Sequence, residues 1–238
     1  MKTIGLIGGM SWESTAVYYR LINQAVRARL GGLHSAEIVL RSLDFEAVAR
    51  LQRADRWNEA GALLARAGAS LAAAGADCVL ICTNTMHLVA DTVAAGIDVP
   101  LLNVIDETGS ALAAAGHRRP LLLATRYTME HGFYTDRLRA GHGIDALVPE
   151  EHDRVAVHGI IFEELCQGVV LDQSRARLMQ AIGRGMDAGA DSVILGCTEL
   201  CLLFDADALP CPGLDSTAVH AAAAVNFAFS EVGLRKAA

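Results

Sequence analysis

Short runs of aliphatic residues alternate along the chain with longer amphipathic segments rich in Ala, Arg and Leu. This alternation is typical of βαβ units and predicts a mostly parallel sheet flanked by helices. The aliphatic runs predict strands at residues 3–8, 36–43, 77–83, 101–104, 120–125, 144–148 and 191–197. The amphipathic segments predict helices at residues 12–30, 55–74, 85–95, 106–115, 128–140, 151–167, 172–188 and 215–231.

One of the predicted strands, together with its flanking turns, occurs twice. Residues 75–85 read GADCVLICTNT and residues 189–199 read GADSVILGCTE, at an offset of 114 positions. A weaker similarity pairs residues 6–9 with residues 122–125. The alternative is a common helix-to-strand connection that arose twice by chance. The polar residues at both strand ends favour two similar α/β halves that share one cleft, because open α/β sheets bind ligands beyond the carboxyl ends of their strands.

Charge and composition narrow the class of partner. The chain of 238 residues has 27 acidic and 20 basic side chains, a formal charge of −7, so a nucleic-acid partner is not expected. No apolar run approaches the roughly 20 residues that cross a bilayer, and the first residues do not resemble a signal peptide. We therefore expect a cytoplasmic protein without a membrane partner, with six free thiols and no metal site, because the cysteines lack the spacing of a zinc site.

The polar residues at the ends of the repeated strands are the candidate catalytic groups. Alternation along a strand points Cys82 and Thr83 to opposite faces, and the repeat aligns Thr83 with Cys197. A thiol between a strand end and a helix N-terminus is expected to have a lowered pKa. Whether Cys82 or Thr83 faces the site stays open. A buried, inert role is the expectation for the other four cysteines, Cys78, Cys166, Cys201 and Cys211.

Six motifs together resemble the aspartate/glutamate racemase family, over nearly the whole chain. They are GGMSWES (8–14), CTNTMH (82–87), ATRYTM (124–129), IFEEL (161–165), GCTEL (196–200) and LDSTAVH (214–220). The resemblance implies two α/β domains related by a pseudo-two-fold axis, with the active site between them. Residues 1–104 with 215–238 would form the first domain, and residues 105–214 the second. It also implies catalysis without a cofactor, by two opposed cysteines that remove and return the α-proton.

The chain departs from the family pattern at one position. Thr83 occupies the place of the first cysteine, which resembles a branch of broad-spectrum or L-aspartate/glutamate-preferring racemases in which Thr and Cys form the pair. Inversion requires proton removal on one face of the α-carbon and delivery on the other. We therefore predict racemisation of aspartate, glutamate or a related amino acid, with Cys197 as thiolate base and Thr83 opposite. His87, one helical turn beyond Thr83, is a candidate relay, with a backbone-paired structural role as the alternative.

Catalysis without pyridoxal phosphate requires hydrogen-bond donors that stabilise the enediolate-like charge. Asn84, Thr85 and Thr198 follow the repeated strands, while the resemblance adds Ser11, Thr125 and Thr128. Trp12 and Gln52 are predicted at the side-chain end of the substrate, and Glu199 is predicted to hold its ammonium or accept a proton. Helix capping is the alternative for the strand-end residues. The complete predicted substrate-binding set is Met10, Ser11, Trp12, Gln52, Asn84, Thr85, Thr125, Thr128, Thr198 and Glu199.

Three other functions are compatible with parts of this pattern. A single-thiol decarboxylase or a hydantoin racemase would use the same scaffold, and a weakly catalytic amino-acid-binding protein would explain Thr83 in place of a thiol. A flavodoxin-like nucleotide-binding protein is disfavoured, because the glycines near the N-terminus lack the G-x-G-x-x-G spacing. A homodimer is the default expectation for the assembly.

Overall fold

A four-stranded parallel sheet forms the first half of the protein. The computed structural model describes residues 1–230. The strands β1 (Ile4–Gly8), β2 (Ile38–Ser42), β3 (Cys78–Ile81) and β4 (Leu101–Leu102) lie in the order β2-β1-β3-β4. The central strand β1 is buried along its whole length, since it pairs with β2 on one side and β3 on the other. Buried parallel strands of this kind read as continuous aliphatic runs, which is why they were predictable.

A three-stranded parallel sheet forms the second half, with the order β5-β6-β7. Its strands are β5 (Pro120–Leu123), β6 (Ser192–Leu195) and β7 (Gly213–Asp215). The predicted strand at 144–148 is wrong, because that segment contributes only an isolated bridge from Leu147 to Leu121. Strand β7 was not predicted, since three residues are too few to show a pattern. The two sheets confirm the predicted α/β fold with mostly parallel strands.

Ten α-helices cover the sheets within residues 1–230. The helix α1 has the predicted bounds, whereas the predicted helix at 128–140 is interrupted at Gly132, whose φ of 75° is left-handed. The helices are α1 (Trp12–Leu30), α2 (Phe45–Arg53), α3 (Trp57–Ala73), α4 (Ala90–Ala95), α5 (Val104–Ala114), α6 (Arg126–Glu130), α7 (Phe133–His142), α8 (Glu151–Gly159), α9 (Asp172–Asp187) and α10 (Ser216–Phe229). None of these helices is long and apolar enough to cross a bilayer.

The last helix returns to the first half of the protein. Helix α10 packs against α1 and α5, and its buried residues Ala221, Ala224 and Val225 share a core cluster with Leu6 and Tyr18. This packing supports the expected return of the C-terminal helix to the first domain. The exact domain boundaries stay a prediction, and the parts of the predicted helix and domain beyond residue 230 lie outside the described residues.

The two faces of the first sheet explain the position of Cys82. Cys78, Leu80 and Cys82 alternate with Val79 and Ile81, and the two sets enter different core clusters. Cys82 is fully buried in the cluster that also contains Tyr18. The residue that follows it, Thr83, is therefore directed away from this cluster, as the alternation predicts.

Candidate active site

A cavity lies between the two halves, at the carboxyl ends of β1, β3, β5 and β6. Cys197 and Thr83 both line it, from opposite halves of the chain. The open space is about 30 Å³, enough for roughly one water molecule. The lining residues are Met10, Ser11, Phe45, Gln52, Thr83, Asn84, Thr85, Thr125, Ile161, Phe162, Cys166, Gly196, Cys197, Thr198 and Glu199.

The turn after β1 places Met10 and Ser11 in the wall. Gly9 has a φ of 86°, and a Cβ there would lie 2.1 Å from the carbonyl oxygen of Leu43, so only glycine fits this turn. Ser11 then caps α1 by accepting a hydrogen bond from the backbone N–H of Ser14. Helix capping and cavity lining thus coexist at Ser11.

The buried carboxylate of Glu199 collects hydrogen bonds from three side chains. The thiol of Cys197 donates to Oε2 at 2.9 Å, and the Thr198 hydroxyl donates to the same oxygen at 2.8 Å. The Ser14 hydroxyl donates to Oε1 at 2.7 Å and also contacts the Thr198 hydroxyl. An ionised carboxylate only accepts hydrogen bonds, and three donors directed at one carboxylate match that state. Ser14 was not predicted as a site residue, although it lies within the GGMSWES motif.

The expected lowering of the Cys197 pKa is wrong in this structure. Burial raises the pKa of Cys197 well above its ordinary value, and the negative charge and hydrogen bond of Glu199 raise it further. The segment after Cys197 is a 3₁₀-helix of five residues, Thr198–Leu202, whose dipole is too short to offset these effects. Cys197 is therefore a protonated thiol whose proton points at Glu199.

Thr83 faces the cavity and Cys82 does not. Burial also raises the pKa of the Cys82 thiol. The geometry thus answers the question that the sequence left open between these two neighbours.

His87 does not have the geometry of the predicted proton relay. Its Nδ1 lies 2.9 Å from the Thr83 carbonyl oxygen, and its Nε2 lies 3.2 Å from the backbone N–H of Val104. A carbonyl oxygen only accepts, so Nδ1 carries the proton and Nε2 accepts from Val104. Burial lowers the pKa of His87 to about 4, which keeps the ring neutral. Both ring nitrogens are hydrogen-bonded to backbone groups. This geometry matches the alternative for His87, a structural residue paired with the backbone, and not a proton relay.

Three threonine hydroxyls form a cluster at the cavity wall. The Oγ1 of Thr85 lies 2.9 Å from that of Thr125 and 3.3 Å from that of Thr128, and the last two are 3.2 Å apart. Thr85 and Thr125 line the cavity, whereas Thr128 lies behind them as their hydrogen-bond partner. Each of the three contacts uses one hydroxyl proton, so the cluster keeps spare acceptor capacity and can donate to a polar ligand only by giving up one of these contacts.

Asn84 presents an unsatisfied acceptor. Its Nδ2 donates to the Ser216 hydroxyl at 3.1 Å, which in turn donates to the carbonyl oxygen of Leu195 at 2.9 Å. Because the Ser216 proton is already used, the amide nitrogen must face Ser216. The Oδ1 of Asn84 is buried without a hydrogen-bond partner. A buried acceptor without a partner is costly, so this oxygen is a candidate contact for a ligand N–H group.

The predicted side-chain end of the site is partly wrong. Trp12 is 67% exposed and lies outside the cavity lining, because it starts α1 on the solvent side. Gln52 is buried and lines the cavity, with its Nε2 3.0 Å from the Met86 sulfur. Met10 also lines the cavity, as predicted.

Five lining residues were not predicted as site residues, and one of them, Gly196, lies in the GCTEL motif directly before Cys197. Phe45 and Phe162 stack with ring centroids 6.5 Å apart, and Ile161 adjoins them in the wall. Phe45 escaped notice because α2 itself was not predicted, whereas Ile161 and Phe162 lie in the IFEEL motif without an assigned role. Cys166 was expected to be inert but lines the cavity, and burial together with Glu199 raises its pKa to about 12.

No metal site accompanies these residues in the part of the chain that the structure describes. Among residues 1–230, no group of three His, Cys, Asp or Glu side chains is arranged to hold a metal ion. All six cysteines are free.

Comparison with known proteins identifies the family. The model of the Asp/Glu/hydantoin racemase family matches residues 7–224, so the chain belongs to this family. A Yersinia pestis structure assigned provisionally as an Asp/Glu racemase is 48% identical, with a TM-score of 0.90 over 97% of this chain and 100% of that one. An aspartate racemase homologue from Pyrococcus horikoshii OT3 is 30% identical, with a TM-score of 0.84 over 96% and 99%.

A comparison of sequences alone finds a further relative. The broad specificity amino-acid racemase RacX of Bacillus subtilis (strain 168) is 25% identical over 152 residues. This match covers 64% of the present chain and 65% of RacX, slightly less than two thirds of its length. Homologues of the chain are thus amino-acid racemases, which are isomerases.

Proposed function

We propose that the protein interconverts the enantiomers of an α-amino acid, without an organic cofactor, by proton transfer at two opposed walls of the cavity. The observation that carries this proposal is the placement of Cys197 and Thr83, from the two halves of the chain, around one cavity. Inversion needs one group on each face of the α-carbon, and this arrangement provides two. Membership of the racemase family supports the same reaction.

The first proton transfer uses the pair of Cys197 and Glu199. The thiol proton passes to Glu199 Oε2, 2.9 Å away, and leaves a thiolate. The thiolate then takes the α-proton, the electron pair of the broken C–H bond stays on the substrate as an enediolate, and Cys197 is again a thiol. The raised pKa makes the thiolate a stronger base than a thiolate in water, which favours this step once it forms.

The second proton arrives from the wall that contains Thr83. A threonine hydroxyl is too weak an acid to ionise, and His87 does not reach it. We therefore assign to Thr83 the positioning of a water molecule, for which the cavity has room. The water gives a proton to the opposite face of the enediolate while it is hydrogen-bonded to the Thr83 hydroxyl, which keeps its own proton. The hydroxide that remains is neutralised, through solvent, by the proton held on Glu199, and the starting carboxylate is restored.

The remaining polar wall residues suit the two backbone groups of an amino acid. The hydroxyls of Thr85 and Thr125 would turn from their mutual contact and donate to the substrate carboxylate, where negative charge grows in the enediolate. The unpartnered Oδ1 of Asn84 would accept from the ammonium group. This assignment gives the unpartnered Oδ1 of Asn84 a hydrogen-bond donor.

The test is α-proton exchange in deuterated water, read by NMR, together with chiral chromatography of the product. We expect the wild type to exchange and to racemise at least one amino acid, and Cys197→Ser to do neither. The matched control is Cys211→Ser, the same substitution outside the cavity, which should behave as the wild type. Exchange retained in Cys197→Ser would refute the assignment.

A single-thiol decarboxylase is the second candidate. Its specific support is the protonated state of Cys197 opposite a residue that is not a thiol. A disubstituted malonate would lose carbon dioxide by cleavage of a C–C bond, and the resulting enediolate would take the Cys197 proton. Carbon dioxide release from such a malonate, with no exchange on any amino acid, would favour this function over racemisation.

The expected location and assembly stay predictions. We propose a cytoplasmic homodimer. Sedimentation of the purified chain would test the assembly, and fractionation of cells would test the location.

A further inference from the structure

The cavity is short of positive charge. Of its fifteen lining residues, Glu199 is the only one whose side chain carries a full charge, and that charge is negative. No Arg, Lys or His lines the cavity among residues 1–230. Four of the lining side chains are apolar and large, Met10, Phe45, Ile161 and Phe162, and Phe45 stacks on Phe162; they are called the apolar wall below.

Two basic residues that adjoin lining residues are already used elsewhere: Arg126 follows Thr125 in the sequence, and His158 packs against Phe162. Arg126 is half exposed, lies over the Tyr127 ring at 5.8 Å and is 3.9 Å from Glu130. His158 packs against Phe162 with centroids 4.7 Å apart, and burial together with Arg126 lowers its pKa, so it is neutral near pH 7. Neither residue offers a positive charge to the cavity.

An acidic side chain would therefore enter an unfavourable environment. Aspartate or glutamate brings two carboxylates and one ammonium, while the lining provides neutral hydroxyl and amide groups and the carboxylate of Glu199. The second substrate carboxylate would meet aromatic rings and the Gln52 amide, which is directed at the Met86 sulfur. Desolvation of a carboxylate without a cationic partner is costly. A neutral amino acid needs no such partner.

We infer that the preferred substrates are α-amino acids with uncharged side chains, and that aspartate and glutamate are disfavoured. This inference rests on the proposed racemisation and narrows the expected substrates, which were aspartate, glutamate or a related amino acid, to related amino acids without a charged side chain. The carrying observation is the set of lining residues: a single anion, no cation and a wall of Met10, Phe45, Ile161 and Phe162.

The test compares substrates that differ in charge and hardly in shape. L-Glutamine against L-glutamate, and L-asparagine against L-aspartate, would be compared by α-proton exchange at neutral pH. We expect kcat/KM to be about tenfold to a hundredfold higher for each amide, the effect of one uncompensated charge near a buried carboxylate. Equal or faster exchange of the two acids would overturn the inference.

A designed change of charge provides a second test. Phe162 is half-buried at the wall, so Phe162→Arg places a cation at the side-chain end, and Phe162→Met is the neutral control of similar flexibility. We expect the ratio of kcat/KM for glutamate over glutamine to rise at least about tenfold in Phe162→Arg and to stay as in the wild type in Phe162→Met. A ratio that is the same in both variants would contradict the inference.

Calorimetric titration of the wild type with the same four amino acids separates the two proposals. If no amino acid exchanges its α-proton but the amides bind more tightly than the acids, the inferred preference for uncharged side chains is supported and the proposed racemisation is refuted. If the acids bind more tightly than the amides, the charge preference is overturned whatever the turnover.

Discussion

The substitution Glu199→Gln gives the sharpest test of how the thiol of Cys197 becomes a base. Gln keeps the shape of Glu but removes the charge and one of the two acceptor oxygens. It therefore has two opposed effects. It removes the group that accepts the thiol proton, which slows formation of the thiolate, and it lowers the pKa of the thiol, which favours the thiolate. Glu199 is 5% exposed and accepts a hydrogen bond from the Cys197 thiol at 2.9 Å. Water therefore cannot easily replace it, either as the proton acceptor or as the negative charge beside the thiol.

The two effects differ in their consequence for the rate. Loss of a positioned proton acceptor lowers proton-transfer rates by about 10²- to 10⁴-fold. Loss of the negative charge lowers the thiol pKa, because two charges ~4 Å apart interact by about 4 kcal/mol at an effective dielectric constant of about 20. Burial is the larger cause of the raised pKa and remains in the variant, so the thiol stays protonated near pH 7. We therefore expect kcat for exchange at neutral pH to fall about a hundredfold, which is ~2.7 kcal/mol in activation free energy.

The pH profile distinguishes this role from a structural one. In Glu199→Gln the thiolate forms at lower pH than in the wild type, so the deficit in exchange should shrink as the pH rises. Exchange would be followed by NMR from pH 6 to pH 10, and thiolate formation by ultraviolet absorbance. Glu163→Gln, the same change at an exposed residue beside the cavity, is the control. Exchange by Glu199→Gln at or above the wild-type rate at neutral pH would refute the proposed acceptor role.

Three further results are expected. Thr83→Cys should raise kcat for racemisation about tenfold or more, because a thiol is a far better acid than a hydroxyl; a loss measured by chiral chromatography would contradict this. Cys166→Ser should keep α-proton exchange within about threefold of the wild type, since no proton transfer is assigned to this thiol; loss of exchange in NMR would move the catalytic role to it. Burial lowers the pKa of His87 to about 4 and that of His220 to about 3, so the unfolded chain binds more protons below pH 6.5. Stability should then fall with pH from 6.5 towards 4, by up to ~1.4 kcal/mol per pH unit for each ring, and a flat series of urea midpoints would contradict this.

The repeat in the sequence predicted the most important feature of the site, because strand position is a local property. Buried parallel strands carry continuous aliphatic runs, so the ends of β3 and β6 were visible without any knowledge of tertiary structure. The period of two along a strand then separated Cys82 from Thr83. The position of the Trp12 side chain could not be predicted in this way, because the direction of the first side chain of a helix depends on how the helix packs.

The pKa of Cys197 was predicted wrongly because it depends on long-range packing. The sequence shows that Cys197 precedes a helical segment, but not that this segment is a short 3₁₀-helix or that Ser14 from α1 fixes Glu199 beside the thiol. Phe45 and Cys166 likewise reach the cavity through the packing of segments distant in sequence. Neither has a local pattern from which its place could be read.

The different groups on the two walls should give different rates of proton transfer on the two faces of the substrate. Enantiomers have the same free energy in water, so kcat/KM must be equal in both directions, whatever groups act on each face. The steps inside the site need not be equal, because Cys197 has a positioned acceptor and Thr83 has none. The enantiomer whose α-proton faces Cys197 should therefore lose that proton and regain one from the thiol many times before a proton arrives from the Thr83 wall. In deuterated water the thiol proton is replaced by deuterium through Glu199, 2.9 Å away, and this enantiomer should then gain deuterium without inversion faster than its mirror image appears. Equal rates of deuterium gain and inversion for both enantiomers would show that the two walls act with equal strength, and the hydroxyl would then need a proton donor stronger than water.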